Sequence, residues 1–186
     1  MKKNLIVAAI TAVSIASANT VLAANDSMYV GASYDKMKLK GNVGSGSKTY
    51  NSGNVTVRAG QNLTDNFGIE AVYGFNDNDS SNGGLSAYIK NYYGLYLTGE
   101  LPVAQNFSLT SKLGYVRAKG ELKGPLGTSS DSGSSVAWGV GGAYHLTHAL
   151  DLTLDYASIY SEDFKLAGAK RDVKAQGFMF GAKFEF

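Results

Sequence analysis

The sequence predicts an all-β fold, an eight-stranded antiparallel up-and-down β-barrel that crosses a membrane with its strands. Three observations predict it. Apolar and polar residues alternate with a period of two in eight separate segments, which marks strands with one apolar and one polar face. Short and long connections alternate between those segments, as in a barrel with tight turns at one end and long loops at the other. Bulky apolar side chains share one face of the segments while glycines gather on the opposite face, which suits lipid outside and a narrow lumen inside. The composition agrees. The 186 residues hold 23 Gly, 12 Tyr and 8 Phe but only 2 Pro, and a disordered Gly-rich chain does not carry so many aromatics.

The N-terminus reads as an export tag. Lys2 and Lys3 form a positive start, residues 5–18 are small and apolar, and Val21-Leu22-Ala23 places small residues where a signal peptidase reads. A signal peptide over residues 1–23 is expected, cut between Ala23 and Ala24. About 14 apolar residues are too few for a membrane-spanning helix, which needs roughly 20. Loss of Lys2 and Lys3 leaves 15 basic and 15 acidic residues in the barrel domain, residues 24–186. A neutral chain has no broad basic surface for nucleic acid. With no Cys, disulfide scaffolds and thiolate metal sites are excluded.

Each strand follows from its alternation. The first sets Met28, Val30, Ala32 and Tyr34 against Tyr29, Gly31, Ser33 and Asp35. In the second, Val55, Val57 and Ala59 oppose Thr56, Arg58 and Gly60. The third has Phe67, Ile69, Ala71, Tyr73 and Phe75 against Gly68, Glu70, Val72 and Gly74. A fourth spans about residues 85–101, with Tyr93, Leu95 and Leu97 on its apolar face. The fifth presents Phe107, Leu109, Leu113 and Tyr115. The sixth presents Val136, Trp138, Val140 and Tyr144, and the seventh Leu150, Leu152, Leu154 and Tyr156. The last ends in Phe178, Phe180, Phe184 and Phe186.

Short connections are expected at residues 62–66, 102–106 and 147–149. Long polar loops are expected near 41–53, 76–84, 119–134 and 161–172. A soluble lipocalin-like barrel also has eight strands, but it would hide its large apolar side chains inside. Here the glycine-bearing face must be the inner one, because eight strands enclose little room. The aromatics fall at two depths. Phe67, Phe107, Tyr144, Phe184 and Phe186 lie near the short turns, and Tyr34, Tyr73, Phe75, Tyr115, Trp138 and Tyr156 toward the long loops. Two such belts mark the two membrane interfaces.

The segments MYVGASYDK, NLTDNFGIEAVYGF, LPVAQNFSLTSKLGYVRA, WGVGGAYHLTHALDLTLDYA and GAKFEF resemble the small outer-membrane barrels of the OmpA/OmpX type, from about Met28 to Phe186. The resemblance implies a bacterial outer-membrane location. It also implies that Phe184 and Phe186 match the signal read by the barrel-assembly machinery. The sequence departs from larger OmpA-like proteins by ending at Phe186, so tethering through a peptidoglycan-binding domain is not implied.

By parity, Asp35, Glu70, Glu100 and Asp155 point inward against Arg58, Lys90, Lys112 and Lys183, four charges facing four. Buried charges need partners, so a salt-bridged plug is expected. Arg58, Glu70, Lys112, Asp155 and Lys183 would share one layer, with Arg58–Glu70 as its central pair. Structural filling accounts for this cluster better than a gated ion path does.

His145 and His148 are the only histidines. Barrel enzymes acting on lipid A use a His and a Ser, but the His145-Leu146-Thr147 triplet lies at the short-turn end, which favours a turn role. No cofactor, metal or catalytic residue is expected. Lys36, Lys38 and Lys40 would extend the first strand to where lipopolysaccharide phosphates lie. The expected function is a monomeric barrel with a structural or surface-interaction role, meeting outer-membrane lipids and possible host ligands through its loops. The alternatives are a narrow solute channel and a lipid A-modifying enzyme.

Overall fold

A computed structural model describes residues 27–43, 46–79, 81–82, 85–124, 127–166 and 169–186. The signal segment and Ala23–Ala24 lie outside the described residues. Eight long strands form one closed antiparallel sheet. They are β1 (Met28–Val43), β2 (Gly46–Asn62), β3 (Phe67–Asp79), β5 (Leu85–Ala104), β6 (Phe107–Gly124), β7 (Gly127–His145), β8 (Leu150–Leu166) and β9 (Ala169–Glu185). The two-residue β4 (Ser81–Asn82) pairs with β5 beyond the end of β3. Sequential strands are neighbours, and β1 pairs with β9 to close the circle, so the barrel has no free long edge.

The short connections lie at 63–66, 105–106 and 146–149. Two of them are built alike. Leu63 and Thr64 both donate their backbone N–H to the Phe67 carbonyl, and the Thr64 hydroxyl accepts from the amides of Asn66 and Phe67. Leu146 and Thr147 donate to the Leu150 carbonyl, and the Thr147 hydroxyl accepts from Ala149 and Leu150. A Leu-Thr pair thus sets both turns, with the threonine hydroxyl replacing a backbone partner. Thr147 is a turn residue.

At the opposite end the described residues of the long polar segments are strand rather than loop. The β1–β2 ladder continues to Val43↔Gly46, β6–β7 to Gly124↔Gly127, and β8–β9 to Leu166↔Ala169. Gly, Ser and Asn have low strand propensity, but a hairpin rising from a closed sheet inherits its register from the strands below.

The outer surface carries the bulky side chains. Phe67, Leu95, Leu97, Tyr115, Val136, Trp138, Phe178 and Phe180 are all exposed. Phe107, Tyr144, Phe184 and Phe186 stand in the short-turn belt, and Tyr34, Tyr73 and Tyr93 with Trp138 in the other. Such a continuous apolar face is stable against lipid rather than water.

The interior has two halves. Toward the short turns it is polar, as the inward glycines and charges predict. Toward the long hairpins a cluster of larger apolar residues, Met37, Leu39, Val72, Ile89, Tyr92, Tyr96, Val116, Ile159 and Tyr160, packs inside beside the buried polar Asp35, Asn54 and Thr56. The expectation that inward positions hold only small and polar residues is therefore corrected for this half. Tyr92 needs the space left by an inward glycine, since a Cβ at Gly74 would overlap its ring. Tyr29 lies against Gly60 in the same way.

Candidate functional site: the interior of the barrel

Charged and polar side chains converge inside the lower half on two levels. On the upper level four residues from four strands meet. Asp155 of β8 receives Lys112 Nζ at 3.0 Å and Arg58 Nη1 at 3.6 Å, while Glu70 lies 3.5 Å from Lys112 and 4.0 Å from Arg58. The Thr110 hydroxyl donates to Asp155 at 3.0 Å and the Tyr29 hydroxyl to Glu70 at 3.1 Å. Arg58, Glu70 and Asp155 are buried, so each charge is offset by at least two opposite ones. The expected central pair, Arg58–Glu70, is the longest contact of the four. The ladder explains this, because Arg58 lies opposite Val72 and Glu70 opposite Gly60, so the two meet on a diagonal.

Asp35 sits farther from the short turns. Its carboxylate accepts hydroxyl hydrogen bonds from Ser33 at 2.7 Å, Tyr92 at 2.8 Å and Thr56. Hydroxyls rather than a salt bridge therefore hold this buried acid.

The lower level centres on Lys183. Its ammonium reaches Glu185 at 2.8 Å, Asp151 at 3.1 Å and Glu100 at 3.3 Å, and lies 5.1 Å above the centre of the Tyr29 ring. Lys183 therefore belongs to a second level and not to the layer of Arg58. Asp151 and Glu185 were missed as members. Both lie on the inward parity of their strands, so a full parity count would have included them, and the balance of four against four does not hold.

Lys90 is a further correction. It is exposed and pairs with Glu121 at 2.7 Å. A register shift between Ile89 and Asn91 makes it the extra residue of a bulge, and one inserted residue reverses the inward–outward alternation.

His145 joins the lower level. Its Nδ1 lies 2.7 Å from Asp151 and its Nε2 2.8 Å from the Ser108 hydroxyl. These spacings match a nucleophile–base–carboxylate relay. Ser108 is only 1 % exposed, however, so its hydroxyl is shielded within the barrel. The contacts fix the imidazole in place between β6 and β8.

A cavity of about 200 Å³ lies beneath the upper charge level and reaches the short-turn end. Arg58, Glu100, His145, Lys183 and the turn residues Thr64 and Asp65 line it. The buried Nε and Nη2 of Arg58 have no protein partner, and a polar space of this size suits a few ordered waters. Among the described residues no group of His, Asp and Glu is placed to hold a metal ion.

Comparison with known proteins places this architecture. The family model for the outer membrane protein β-barrel domain matches residues 5–186. Three solved structures share the fold at low identity. Ail, the attachment invasion locus protein of Yersinia pestis, superposes with a TM-score of 0.61 at 17% identity, over 88% of this chain and 100% of that one. Neisserial surface protein A gives 0.62 at 14%, over 86% and 97%. The N-terminal barrel domain of Pseudomonas aeruginosa OprF gives 0.59 at 12%, over 87% and 98%. Ail has also been solved in complex with the heparin analogue sucrose octasulfate. No curated protein matches the chain by sequence.

Proposed function

The chain belongs to the outer membrane protein β-barrel domain family, and on that premise we propose that it is a closed, non-catalytic scaffold of the bacterial outer membrane. Its long hairpins are the interactive part, and its lumen is filled rather than conducting. The observation that carries this reading is the pair of stacked barriers inside. An ion entering from the short turns meets the Arg58–Glu70–Lys112–Asp155 quartet, and above it Met37, Val116 and Ile159, all fully buried. These side chains fill the lumen beside the buried Asp35, Asn54 and Thr56, and a hydrated ion that entered so tightly packed a layer would have to shed most of its water. Burial of Ser108 supports the absence of acyl-transfer chemistry. That Ail takes a sulfated ligand lends support to a hairpin rim that meets polyanions. Phe184 and Phe186, stacked at the β9 end of the seam, serve as the assembly signal.

The test is electrical. Purified barrel inserted in a planar bilayer gives no discrete conductance steps under the proposed reading, whereas steps of constant size would establish a channel. Unchanged lipid A mass on overexpression accompanies the first outcome. A deletion strain that becomes detergent-sensitive would mark the scaffold role in the envelope.

A further inference from the structure

Three cations lie together on the outward face near the hairpin end, among the described side chains. On the adjoining strands β1 and β9, Lys36, Lys38 and Lys174 are all exposed. Lys36 lies opposite Phe178 and Lys38 opposite Gln176 in the β1–β9 ladder, so the lysines begin at the outer aromatic belt and rise from it. Successive outward residues are about 7 Å apart along a strand. Among the described side chains, the exposed neighbours opposite Lys38 and Lys174, Asn51 on β2 and Ser161 on β8, are neutral.

Below the stripe is an aromatic seat. Tyr34 and Phe180 are exposed beneath Lys36 and Phe178, and Phe178 meets Tyr156 edge-on at 5.2 Å between ring centres. The Tyr156 hydroxyl donates to Gln176 at 3.2 Å, which holds the ring in position.

We infer that the β1–β9 face binds one lipid of the outer leaflet, a phosphorylated glycolipid of the lipid A type. Its acyl chains lie on Tyr34, Phe178 and Phe180, and its phosphates bridge Lys36, Lys38 and Lys174. The chemistry follows from position. Long lysine stems lie along apolar surface while their ammonium groups reach the headgroup layer, and two cations about 7 Å apart can share one phosphate. Phosphate monoesters carry more charge than the single diester of a common phospholipid and so gain more from three cations. The opposite side of the barrel provides a comparison. There Arg117 and Lys119 of β6 are also exposed, but Arg117 Nη2 lies 3.5 Å from Ser132, and Lys90 on the adjoining β5 is engaged by Glu121. The inference rests on the scaffold reading with the hairpins outward. Conductance tests lumen closure and lipid binding tests this face, so either can fail alone.

The experiment titrates the whole refolded barrel, in zwitterionic detergent, with diphosphoryl lipid A, monophosphoryl lipid A and phosphatidylcholine, and counts bound lipid by native mass spectrometry. Diphosphoryl lipid A is expected to bind tightest. Its affinity should fall at least about tenfold in the Lys36→Gln/Lys38→Gln/Lys174→Gln variant. It should stay near wild type in Arg117→Gln/Lys119→Gln and in the charge-preserving Lys36→Arg/Lys38→Arg/Lys174→Arg. Equal binding of all three lipids by the wild-type barrel overturns the inference without recourse to any variant. So does equal loss in the Arg117/Lys119 variant, which would reduce the effect to net charge.

Discussion

Among single residues, Asp155 ranks above Glu70. Both buried acids face the same two cations and each accepts one hydroxyl, from Thr110 and Tyr29, but Asp155 stands closer to each cation. Removing either leaves cations buried with half their compensation, and breaking such a set costs about 3–5 kcal/mol. Asp155→Ala is expected at the upper end and Glu70→Ala at the lower, read as loss of the heat-resistant compact band on gels and as urea midpoints in lipid vesicles. An equal loss would mean that distance does not rank the contacts. The presence of these residues in the lumen was legible in the sequence because parity alone assigns a strand residue to a face. The pairing was not legible, because which charges meet depends on strand stagger. His145 illustrates the same limit. Its inward direction follows from alternation, but its contacts with Ser108 and Asp151 come from strands 37 and 6 residues away.

Strands and turns were legible to different degrees. The three short connections fall where the breaks in alternation placed them, and the repeated Leu-Thr pair gives two of them a common bonding pattern. The long polar stretches misled, since composition signals a loop while the ladder continues through them. Their stability must then come from the barrel below rather than from local propensity. Replacing residues 120–131 of the β6–β7 hairpin by a short Asn-Gly turn is accordingly expected to leave the barrel folded, with an urea midpoint close to wild type; collapse of the fold would show that the hairpin supports the wall. Lys90 makes the opposite case. One extra residue shifts the count above it on β5, so Ile89 lies opposite Gly120 and is buried, while Tyr88 lies opposite Glu121 and donates its hydroxyl to that carboxylate at 2.7 Å. Deleting Lys90 is expected to remove the bulge while Ile89 stays opposite Gly120 and Tyr88 opposite Glu121, so quenching of tyrosine fluorescence by lipid-bound probes should stay near wild type; newly lipid-exposed tyrosine would show that the bulge sets the register above it. The bulge was invisible in the sequence because no Gly or Pro marks it.

For the whole molecule the decisive contact is the one that closes the circle. Backbone bonds join Met28 to Phe186 in both directions, at 3.3 Å and 3.0 Å, so the two ends of the described chain meet across almost its full length. All other neighbouring long strands are consecutive hairpins. Contacts at large sequence separation form late, because loop-closure entropy must be met before they contribute. The apolar outer band and the buried charges add a second constraint, since neither is satisfied until lipid covers the outside and the lumen is complete. During insertion into lipid vesicles, amides of the β5–β6 hairpin should therefore gain protection from hydrogen exchange first. Amides of β1 and β9, on both sides of the seam, should gain it last and together with the interior charge levels. Pulsed exchange read by mass spectrometry separates this order from its alternative. Protection at the seam as early as in β5–β6 would mean that the ends meet before the wall is built.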